Sequence, residues 1–268
     1  MAEGLVLQKL LTATLSSAIV ETGDDQVGGY VTAASAVAGL RTPAQLLAAY
    51  GVDATPHFVD VVRFERPRLA TFTAPPDAQR PWPTFPNGFL RGDSLAQVWS
   101  MSRTRYTYGA EYWRIRSDGE QKCLSHYGGA ARGWANAKQW RRPSPMVGTL
   151  ARWRGNEFFA DITGDSVMLT AIAEQGPGGF EQIHRGVWSA TVPLSDTEVF
   201  ERVFTAELDQ VPVRLLRMSG TTAEVLLLTD DPVDAERVGA GLVEPGTYEI
   251  IVDFSRLTNQ QAVENQLT

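Results

Sequence analysis

The sequence predicts an α+β fold in which a small helical N-terminal element precedes a mostly antiparallel β body. Residues 1–50 are rich in alanine and place their apolar residues near a helical period. From Leu95 onward, short runs separated by turn signals are typical of antiparallel strands. The C-terminal half repeats its own strand pattern, which indicates a duplicated β-rich unit. Apolar residues make up 43% of the 268 residues, which is enough to form a core.

Three segments of the N-terminal region have the spacing of a helix. They are Leu5–Glu21, Tyr30–Leu40 and Thr42–Tyr50. Gly23 follows the first segment, and glycine commonly ends a helix. Thr42 and Pro43 suit the N-cap and the first helical position of the third segment, and Gly51 lies just past its end. We therefore expect a small helical unit in residues 1–50.

The strands of the β body are expected in short segments. The first two, Phe58–Phe64 and Leu69–Phe72, are separated by Arg66-Pro67. Five prolines between residues 75 and 88 then predict a stiff surface connection, because proline fixes φ and lacks a backbone donor. Further strands are expected at Ala96–Met101, Arg105–Tyr108, Glu111–Arg116 and Lys122–Tyr127. Ser117-Asp118-Gly119, between the last two, is a strong hairpin signal.

The segment Arg141-Arg142-Pro143-Ser144-Pro145 interrupts this pattern and is the best domain boundary in the sequence. It divides the chain into residues 1–142 and residues 143–268. The second part contains two similar copies, at about residues 147–200 and 202–260. Gly186–Ser195 matches Gly246–Ser255 at an offset of 60, and Thr149–Trp153 aligns with Phe204–Leu208 at an offset of 55. Such a pair of units would bury one β face against its twin.

Charge is distributed unevenly along the chain. The net charge is −7, yet residues 87–154 contain twelve basic and four acidic residues, while residues 155–268 contain six basic and nineteen acidic ones. These two segments can neutralise each other within the molecule. The acidic segment can equally dock a basic protein, because complementary fields steer association. The overall negative charge argues against nucleic acid as a partner, since phosphates would repel it.

Aromatic residues and arginines are concentrated in residues 85–140. Trp, Tyr and Arg contribute most of the binding energy at protein interfaces, so we expect a protein partner to contact this segment. The candidate contact residues are Trp99, Arg105, Tyr108, Tyr112, Arg114, Trp134 and Trp140. The same composition can bind a nucleotide, or it can serve the ordinary packing of half-buried strands. The expected complex weakens with salt and loses affinity when Trp134 or Trp140 is truncated.

No segment carries the signature of a common catalytic or cofactor site. The glycine-rich phosphate loops, the nucleophile elbow and the zinc-binding helix motif do not occur in the sequence. Cys123, Ser125 and His126 are close in sequence, but a catalytic triad requires convergence in space. We therefore assign no catalytic residue, and we expect no cofactor and no metal site.

The sequence does not predict a membrane span or a signal peptide. The best apolar stretch, Leu5–Val20, is interrupted by several polar residues and lacks a basic start and a cleavage site. With one cysteine, Cys123, the chain cannot form an internal disulfide. We expect a cytoplasmic protein with no membrane partner.

Short motifs in the centre and near the C-terminus of the chain suggest a family. They are Pro86–Ser94, Gly109–Arg114, Val211–Val213 and Val243–Glu249. Together they resemble a group of uncharacterised actinobacterial proteins associated with type VII secretion and secreted-toxin loci. The resemblance covers most of residues 58–260 and implies an immunity protein, which neutralises a toxin. The motifs carry no known catalytic residues, so the resemblance assigns no site.

Three functional hypotheses follow from these observations. The first is a non-enzymatic cytoplasmic protein-binding protein, an immunity or chaperone-like partner of a secreted actinobacterial toxin or effector. The second is an enzyme acting on a nucleotide such as NAD, which requires Glu111 to converge in one pocket with two of the arginines Arg91, Arg105 and Arg114. The third is a structural β-module for oligomer assembly, which a two-fold pseudo-symmetric repeat suits. The sequence leaves the partner and the oligomeric state open.

Overall fold

The computed structural model describes residues 4–49, 54–73, 98–244 and 246–267. These residues form mostly antiparallel β-sheets with few helices, of which a small one lies near the N-terminus. The predicted antiparallel β body is therefore confirmed. The α+β assignment is corrected, because the chain is more β-rich than that class. The predicted proline-rich connection at residues 75–88, Arg91 and the motif Pro86–Ser94 lie outside the described residues.

Seven strands form the first sheet: β1 (Val6–Leu11), β2 (Gln26–Ala33), β3 (Phe58–Glu65), β4 (Phe72–Thr73), β5 (Val98–Arg105), β6 (Glu111–Arg116) and β7 (Gln121–His126). Their order is β4-β5-β2-β1-β3-β6-β7, and all neighbours are antiparallel. Side chains alternate between the two faces of a strand. In β3, Val62 and Phe64 join one core cluster, while Val59 and Val61 join another. Both faces of this sheet are therefore covered.

The described residues contain three short α-helices: α1 (Ala13–Ser17), α2 (Pro43–Ala49) and α3 (Pro232–Val238). A π-helical turn, Ala18–Thr22, continues α1 and ends at Gly23. The helix predicted at Thr42–Tyr50 is confirmed by α2, where Thr42 Oγ1 accepts a hydrogen bond from the Gln45 N–H at 3.4 Å. Across the described ranges, every helix is too short or too polar to cross a membrane.

The other two N-terminal helix predictions are wrong in part. Val6–Leu11 forms β1 instead of the start of a helix over Leu5–Glu21, and the segment from Tyr30 to Ala33 belongs to β2. The reason is that β1 is buried on both faces. Even Gln8 and Lys9 are each only 2% exposed, so the strand lacks the polar alternation by which strands are recognised. The N-terminal residues therefore form the centre of a sheet instead of a separate helical unit.

The strand predictions in the first sheet are confirmed in part, and the strand expected at Leu69–Phe72 is wrong except at Phe72, where β4 begins. β3 covers the predicted Phe58–Phe64, and β6 has the predicted bounds. β6 and β7 form the hairpin indicated by Ser117-Asp118-Gly119, and Gly119 has a φ of 86° in its turn. β5 differs from its prediction, because it runs without a break through the gap between the two strands expected there.

Eleven strands form the second sheet: β8 (Thr149–Trp153), β9 (Asn156–Thr163), β10 (Ser166–Ile172), β11 (Glu181–His184), β12 (Val187–Pro193), β13 (Glu198–Leu208), β14 (Val211–Ser219), β15 (Thr222–Leu227), β16 (Gly241–Glu244), β17 (Thr247–Asp253) and β18 (Leu257–Gln266). Their order is β11-β12-β10-β9-β8-β13-β14-β15-β17-β16, and β18 pairs with β13 off this path. The boundary predicted after Arg142 falls in the connection between the two sheets. The division into domains stays a prediction.

The two predicted copies have the same order of strands. β8 to β12 are arranged as β8-β9-β10-β12-β11, and β13 to β17 as β13-β14-β15-β17-β16. In each unit the ladder of the short fourth strand shifts register, between Gln182 and His184 and between Leu242 and Glu244. A 3₁₀ turn follows the fifth strand of each unit, at Leu194–Asp196 and at Phe254–Arg256. Both correspondences fall at the sequence offset of 60.

β13 joins the two units through its two edges. Along one edge, Glu198–Glu201 pair with β8, and Thr205–Leu208 pair with β14. Along the opposite edge, β18 pairs with β13 from Phe200 to Leu208. The two edges are opposite because Phe200 pairs with β8 and β18 at the same time. Both units therefore diverge from one edge of β13, and β18 covers the other.

β18 has the same relation to β13 that β13 has to β8. β13 follows the 3₁₀ turn of the first unit, and β18 follows the 3₁₀ turn of the second. In the β8–β13 ladder, Arg152 pairs with Glu198. At the matching positions of the β13–β18 ladder, Glu207 pairs with Thr258. β18 therefore occupies the position of the first strand of a further unit.

The turns between the first two strands of each unit test this correspondence. Both turn residues are left-handed in each: Arg154 and Gly155 have φ of 50° and 77°, and Asp209 and Gln210 have 49° and 68°. A side chain in this conformation costs roughly 1–2 kcal/mol, which glycine avoids. Gln210→Gly should therefore raise the free energy of unfolding by about 1 kcal/mol in chemical denaturation, and Gly155→Gln should lower it similarly. Changes of the same sign would contradict the equivalence of the turns.

Candidate functional site

Buried ion pairs connect the first sheet to the second. Lys9 of β1 and Glu244 of β16 are 2% and 5% exposed, and Lys9 Nζ lies 2.5 Å from Glu244 Oε2. Arg103 of β5 forms a second inter-sheet pair with Glu249 of β17. Burial lowers the pKa of Lys9, and the Glu244 carboxylate opposes this effect. A buried charge is costly without its partner, so both pairs depend on the contact between the sheets.

Arg105, at the end of β5, binds the backbone of the second sheet. Its Nη2 donates hydrogen bonds to the carbonyl oxygens of Thr149 and Ala160, at 2.7 and 2.9 Å. The chain approaches Arg105 so closely that a Cβ on Gly148 would lie 2.6 Å from the Arg105 Cβ. Gly148 also has a φ of 87°, which favours glycine. Arg105 therefore acts as a buried clamp between the sheets.

Asp25 and its neighbour Asp24 bring negative charge to the same interface. Burial raises the pKa of Asp25 from 3.8 to about 6, and the Arg105 guanidinium opposes this shift only in part. Asp24 binds Arg141 at 2.5 Å, and Arg141 also reaches Glu224 of β15 at 3.4 Å. Arginines of the basic central segment thus meet acidic residues of the C-terminal segment within the molecule. The basic and acidic segments therefore neutralise each other in part within the molecule, which is the first of the two uses expected for the uneven charge.

Three of the predicted partner-binding residues lie in the interior. Trp134 is 4% exposed, packs on Tyr106 and Tyr127, and donates its Nε1–H to the Asp24 carbonyl oxygen at 2.8 Å. Tyr112 is 2% exposed, and Arg105 is the clamp described above. A docking partner does not reach these side chains in this conformation. Truncation of Trp134 would therefore remove core packing, which corrects the expected loss of affinity to a loss of stability.

The other four predicted residues lie nearer the surface, on different elements. Trp99 is half-buried against the core of the first sheet. Arg114 donates two hydrogen bonds to the Asp60 carboxylate, at 2.8 and 2.9 Å. Trp140 donates its Nε1–H to the Ala130 carbonyl oxygen at 3.2 Å. Tyr108 is 46% exposed. Contact with a partner stays a prediction for these four.

Cys123 and His126, which are close in sequence, are also close in space. Cys123 Sγ lies 3.5 Å from His126 Nε2, and Glu111 Oε1 lies 4.0 Å from His126 Nδ1. Burial raises the pKa of the Cys123 thiol, and the negative charge of Glu111 raises it further. An activated cysteine needs a lowered pKa, because the thiolate is the nucleophile. The geometry resembles a triad, but its electrostatics favour the unreactive thiol. Ser125 is buried and its Oγ accepts the Asn136 N–H at 3.2 Å.

The convergence that a nucleotide-processing enzyme requires is not found among the described residues. Arg105 lines a small cavity of about 50 Å³, whose walls contain neither Glu111 nor Arg114. Glu111 is instead bound on its own strand, because the indole Nε1–H of Trp113 donates to Glu111 Oε2 at 2.9 Å. Nor do the described ranges contain a group of three or more His, Cys, Asp or Glu side chains that could hold a metal ion.

A cleft of about 670 Å³ with a mixed polar and apolar lining opens between the two sheets. Hydroxyl groups and two arginines line it, including Ser100, Ser102, Thr229, Arg103 and Arg214. Both arginines already bind carboxylates, Arg103 that of Glu249 and Arg214 that of Glu201 at 3.1 Å. Because their charges are neutralised, the cleft is weakly suited to a phosphate group.

The outer edge of β18 is a second feature, besides the cleft, that a partner could bind. All residues from Thr258 to Gln266 are exposed, on both faces of the strand. The Leu267 N–H points toward β13, because it donates to the Val199 carbonyl oxygen of that strand at 2.9 Å. Backbone groups alternate in direction along a strand, so those of Ala262, Glu264 and Gln266 point away from β13. Within the described part of the chain, no strand pairs with this outer edge.

A charged network fixes β18 to the second sheet. Glu264 accepts hydrogen bonds from Arg152 at 2.8 Å and from Arg202 at 2.6 Å, which lower the pKa of its carboxyl group. Both guanidiniums lie over the Phe200 ring, at 4.2 and 5.2 Å from its centroid. Arg152 also binds Glu198 at 3.1 Å. Glu264 is the one charged residue of β18, and this network neutralises it.

Sequence reasoning missed β18. Its apolar residues beyond Leu257 are Ala262 and Val263, so the strand has no hydrophobic alternation. The repeat contained the signal that could have found it. Since β13 follows Leu194–Asp196, a strand is also expected after the equivalent Phe254–Arg256.

The Lys9–Glu244 pair predicts a large effect of single substitutions. Lys9→Met should lower the free energy of unfolding by about 3–5 kcal/mol in chemical denaturation, because Glu244 then stays buried without a partner. The double variant Lys9→Met/Glu244→Met should lose less than this single variant. Arg237→Met, at the exposed pair with Asp234, is the matched control and should cost at most about 1 kcal/mol. Equal losses at the buried and exposed pairs would contradict this account.

Asp25 predicts a specific pH dependence. Its folded pKa of about 6 exceeds the ordinary 3.8, so the folded state binds this proton more tightly and stability falls as pH rises between these values. Asp25→Asn should therefore raise the free energy of unfolding at pH above 7, by up to about 3 kcal/mol, and have little effect near pH 4. The measurement is urea denaturation at both pH values. A variant that is less stable at neutral pH would show that the Asp25 charge is favourable.

Comparison of the chain with protein-family models, with curated proteins and with solved structures finds no significant match. The resemblance to proteins of type VII secretion and toxin loci therefore stays a prediction.

Proposed function

We propose that this protein is a non-enzymatic protein-binding protein that pairs a strand of another polypeptide with the outer edge of β18. The observation that carries the proposal is the exposure of Thr258–Gln266 on both faces, with backbone groups directed outward along an edge that no described strand pairs. Addition of a strand to such an edge is a common mode of peptide recognition, in which main-chain hydrogen bonds supply affinity.

The distribution of charged groups supports binding over catalysis. Arg103, Arg105 and Lys9 are engaged in contacts between the sheets. These contacts contribute to the stability of the fold, and Arg103, which lines the cleft, has its charge already paired with Glu249. β18, by contrast, buries little of its own side-chain surface, so covering it would not disturb the core.

The more specific form of the proposal concerns the partner and its location. The resemblance to proteins of secreted-toxin loci favours an immunity or chaperone-like role, with a secreted actinobacterial toxin or effector as partner. The proposed location for this role is the cytoplasm.

A role in oligomer assembly is the second candidate. It is favoured by the equal strand order of the two units, which supports an internal duplication. In this case the strand that pairs with β18 comes from an assembly partner instead of a toxin.

The test compares proteins captured from a native actinobacterial lysate by the tagged wild type and by two variants. Ala262→Pro removes an outward N–H, and an edge strand tolerates proline at such a position. Ala262→Val keeps the N–H and is the matched control. The wild type and Ala262→Val should capture a stoichiometric polypeptide that Ala262→Pro loses at least about tenfold. Equal capture by all three proteins, or no capture by any, would contradict binding at β18.

A further inference from the structure

We propose that the polypeptide that pairs with β18 is β18 of a second copy of this chain, so that two copies form one continuous antiparallel sheet. This inference rests on the proposed function in its second form, oligomer assembly, because it names the strand that pairs with the same edge. Three features of the strand carry it: its unprotected edge, its place in the repeat and its self-complementary sequence.

Beyond its bulge at Asn259, the outer edge of β18 lacks the protection that natural edge strands usually have. Such strands carry lysine, proline, inward charges or bulges that prevent pairing with another chain. Gln260–Gln266 contains no lysine, proline or glycine. Its charged residue, Glu264, is neutralised by Arg152 and Arg202. A bulge lies at Asn259, with a φ of 51°, and it ends the flat part of the edge. Within the described residues, the outer edge of Gln261–Gln266, which pair regularly with β13, is thus open for pairing.

The repeat indicates which kind of strand fits this edge. The first strand of each unit is covered by the first strand of the next: β13 covers β8, and β18 covers β13, both antiparallel. The equivalent occupant of the β18 edge is another strand of this type. β8 pairs with β9 and β13, and β13 has both edges in use, so neither is available from another copy. A second copy can therefore offer its own β18.

A contact between two β18 strands joins two copies and no more. Each copy uses the same surface, so the interface has two-fold symmetry and leads to a dimer instead of a fibre. The sheet then runs from β13 through β18 into β18 and β13 of the second copy. In each copy, the charged network around Glu264 connects β18 to its own β13 and β8.

The sequence of β18 favours a two-fold axis at Val263. This side chain is 55% exposed, and the axis would place it opposite its own copy, where the two valines cover each other. Ala262 would then face Glu264 of the second copy, and both have outward backbone groups. The two Glu264 carboxylates would not be directly opposite each other. A register centred on Glu264 would juxtapose them and is disfavoured.

The test is sedimentation equilibrium of the purified full chain over roughly a hundredfold range of concentration. The wild type and Ala262→Val should change from monomer to dimer within this range. Ala262→Pro should raise the dimer dissociation constant at least about tenfold, with an unchanged circular dichroism spectrum. A wild type that stays monomeric throughout, or a dimer that Ala262→Pro does not weaken, would overturn the inference.

A charge pair tests the axis without altering the backbone. Val263→Lys and Val263→Glu should each be monomeric, since like charges meet at the axis, and their equimolar mixture should dimerise. Failure of the mixture to dimerise, when the wild type does, would contradict the axis at Val263. If the wild type is monomeric but a different lysate protein is lost with Ala262→Pro, the proposed function stands and the second copy is excluded as the partner.

Discussion

The arrangement of the second sheet depends on how β13 uses its two edges. One edge is shared by β8 and β14, so both units diverge from the same strand, and the other edge is covered by β18. Because each edge offers one row of backbone donors and acceptors, a strand can continue the sheet only where such a row is unpaired. Within the described residues, β18 is the last strand on this side of β13. A further strand can add to the sheet at the outer edge of β18.

The same structure assigns most buried charges to internal contacts. Lys9, Arg103 and Arg105 lie on the first sheet and bind carboxylates or carbonyl oxygens of the second. A buried ion pair contributes little net stability compared with apolar packing, but breaking it is costly, so these groups define one relative position of the two sheets. Of the arginines that suggested phosphate or partner binding in sequence, Arg103 and Arg105 are used in this way, whereas Arg114 binds Asp60 within the first sheet. Function is therefore to be sought at the surface, where, within the described residues, β18 is an exposed strand with an outer edge that no other strand pairs.

Sequence reasoning predicted elements whose pattern is local and failed where tertiary contacts override it. β6 and its hairpin follow from alternation and from Ser117-Asp118-Gly119, and α2 follows from the cap at Thr42. β1 was mistaken for a helix because Gln8 and Lys9 are buried, and their partners, Arg63 and Glu244, are far away in sequence. Burial of Trp134 and Tyr112 could not be read from composition, since aromatic residues suit both cores and interfaces. β18 has no apolar pattern in sequence, because it is stabilised by its hydrogen-bonded pairing with β13 and not by a buried face.

The most direct test of the central claim is amide hydrogen exchange along β18, measured by NMR at low and high protein concentration. The inward N–H groups of Gln261 and Val263 pair with β13 and should be protected at every concentration. The outward N–H groups of Ala262 and Glu264 should exchange rapidly in dilute samples and become protected as concentration rises. Rapid exchange of these two groups at all concentrations, with Val263 still protected, would contradict the claim that β18 pairs with a second copy.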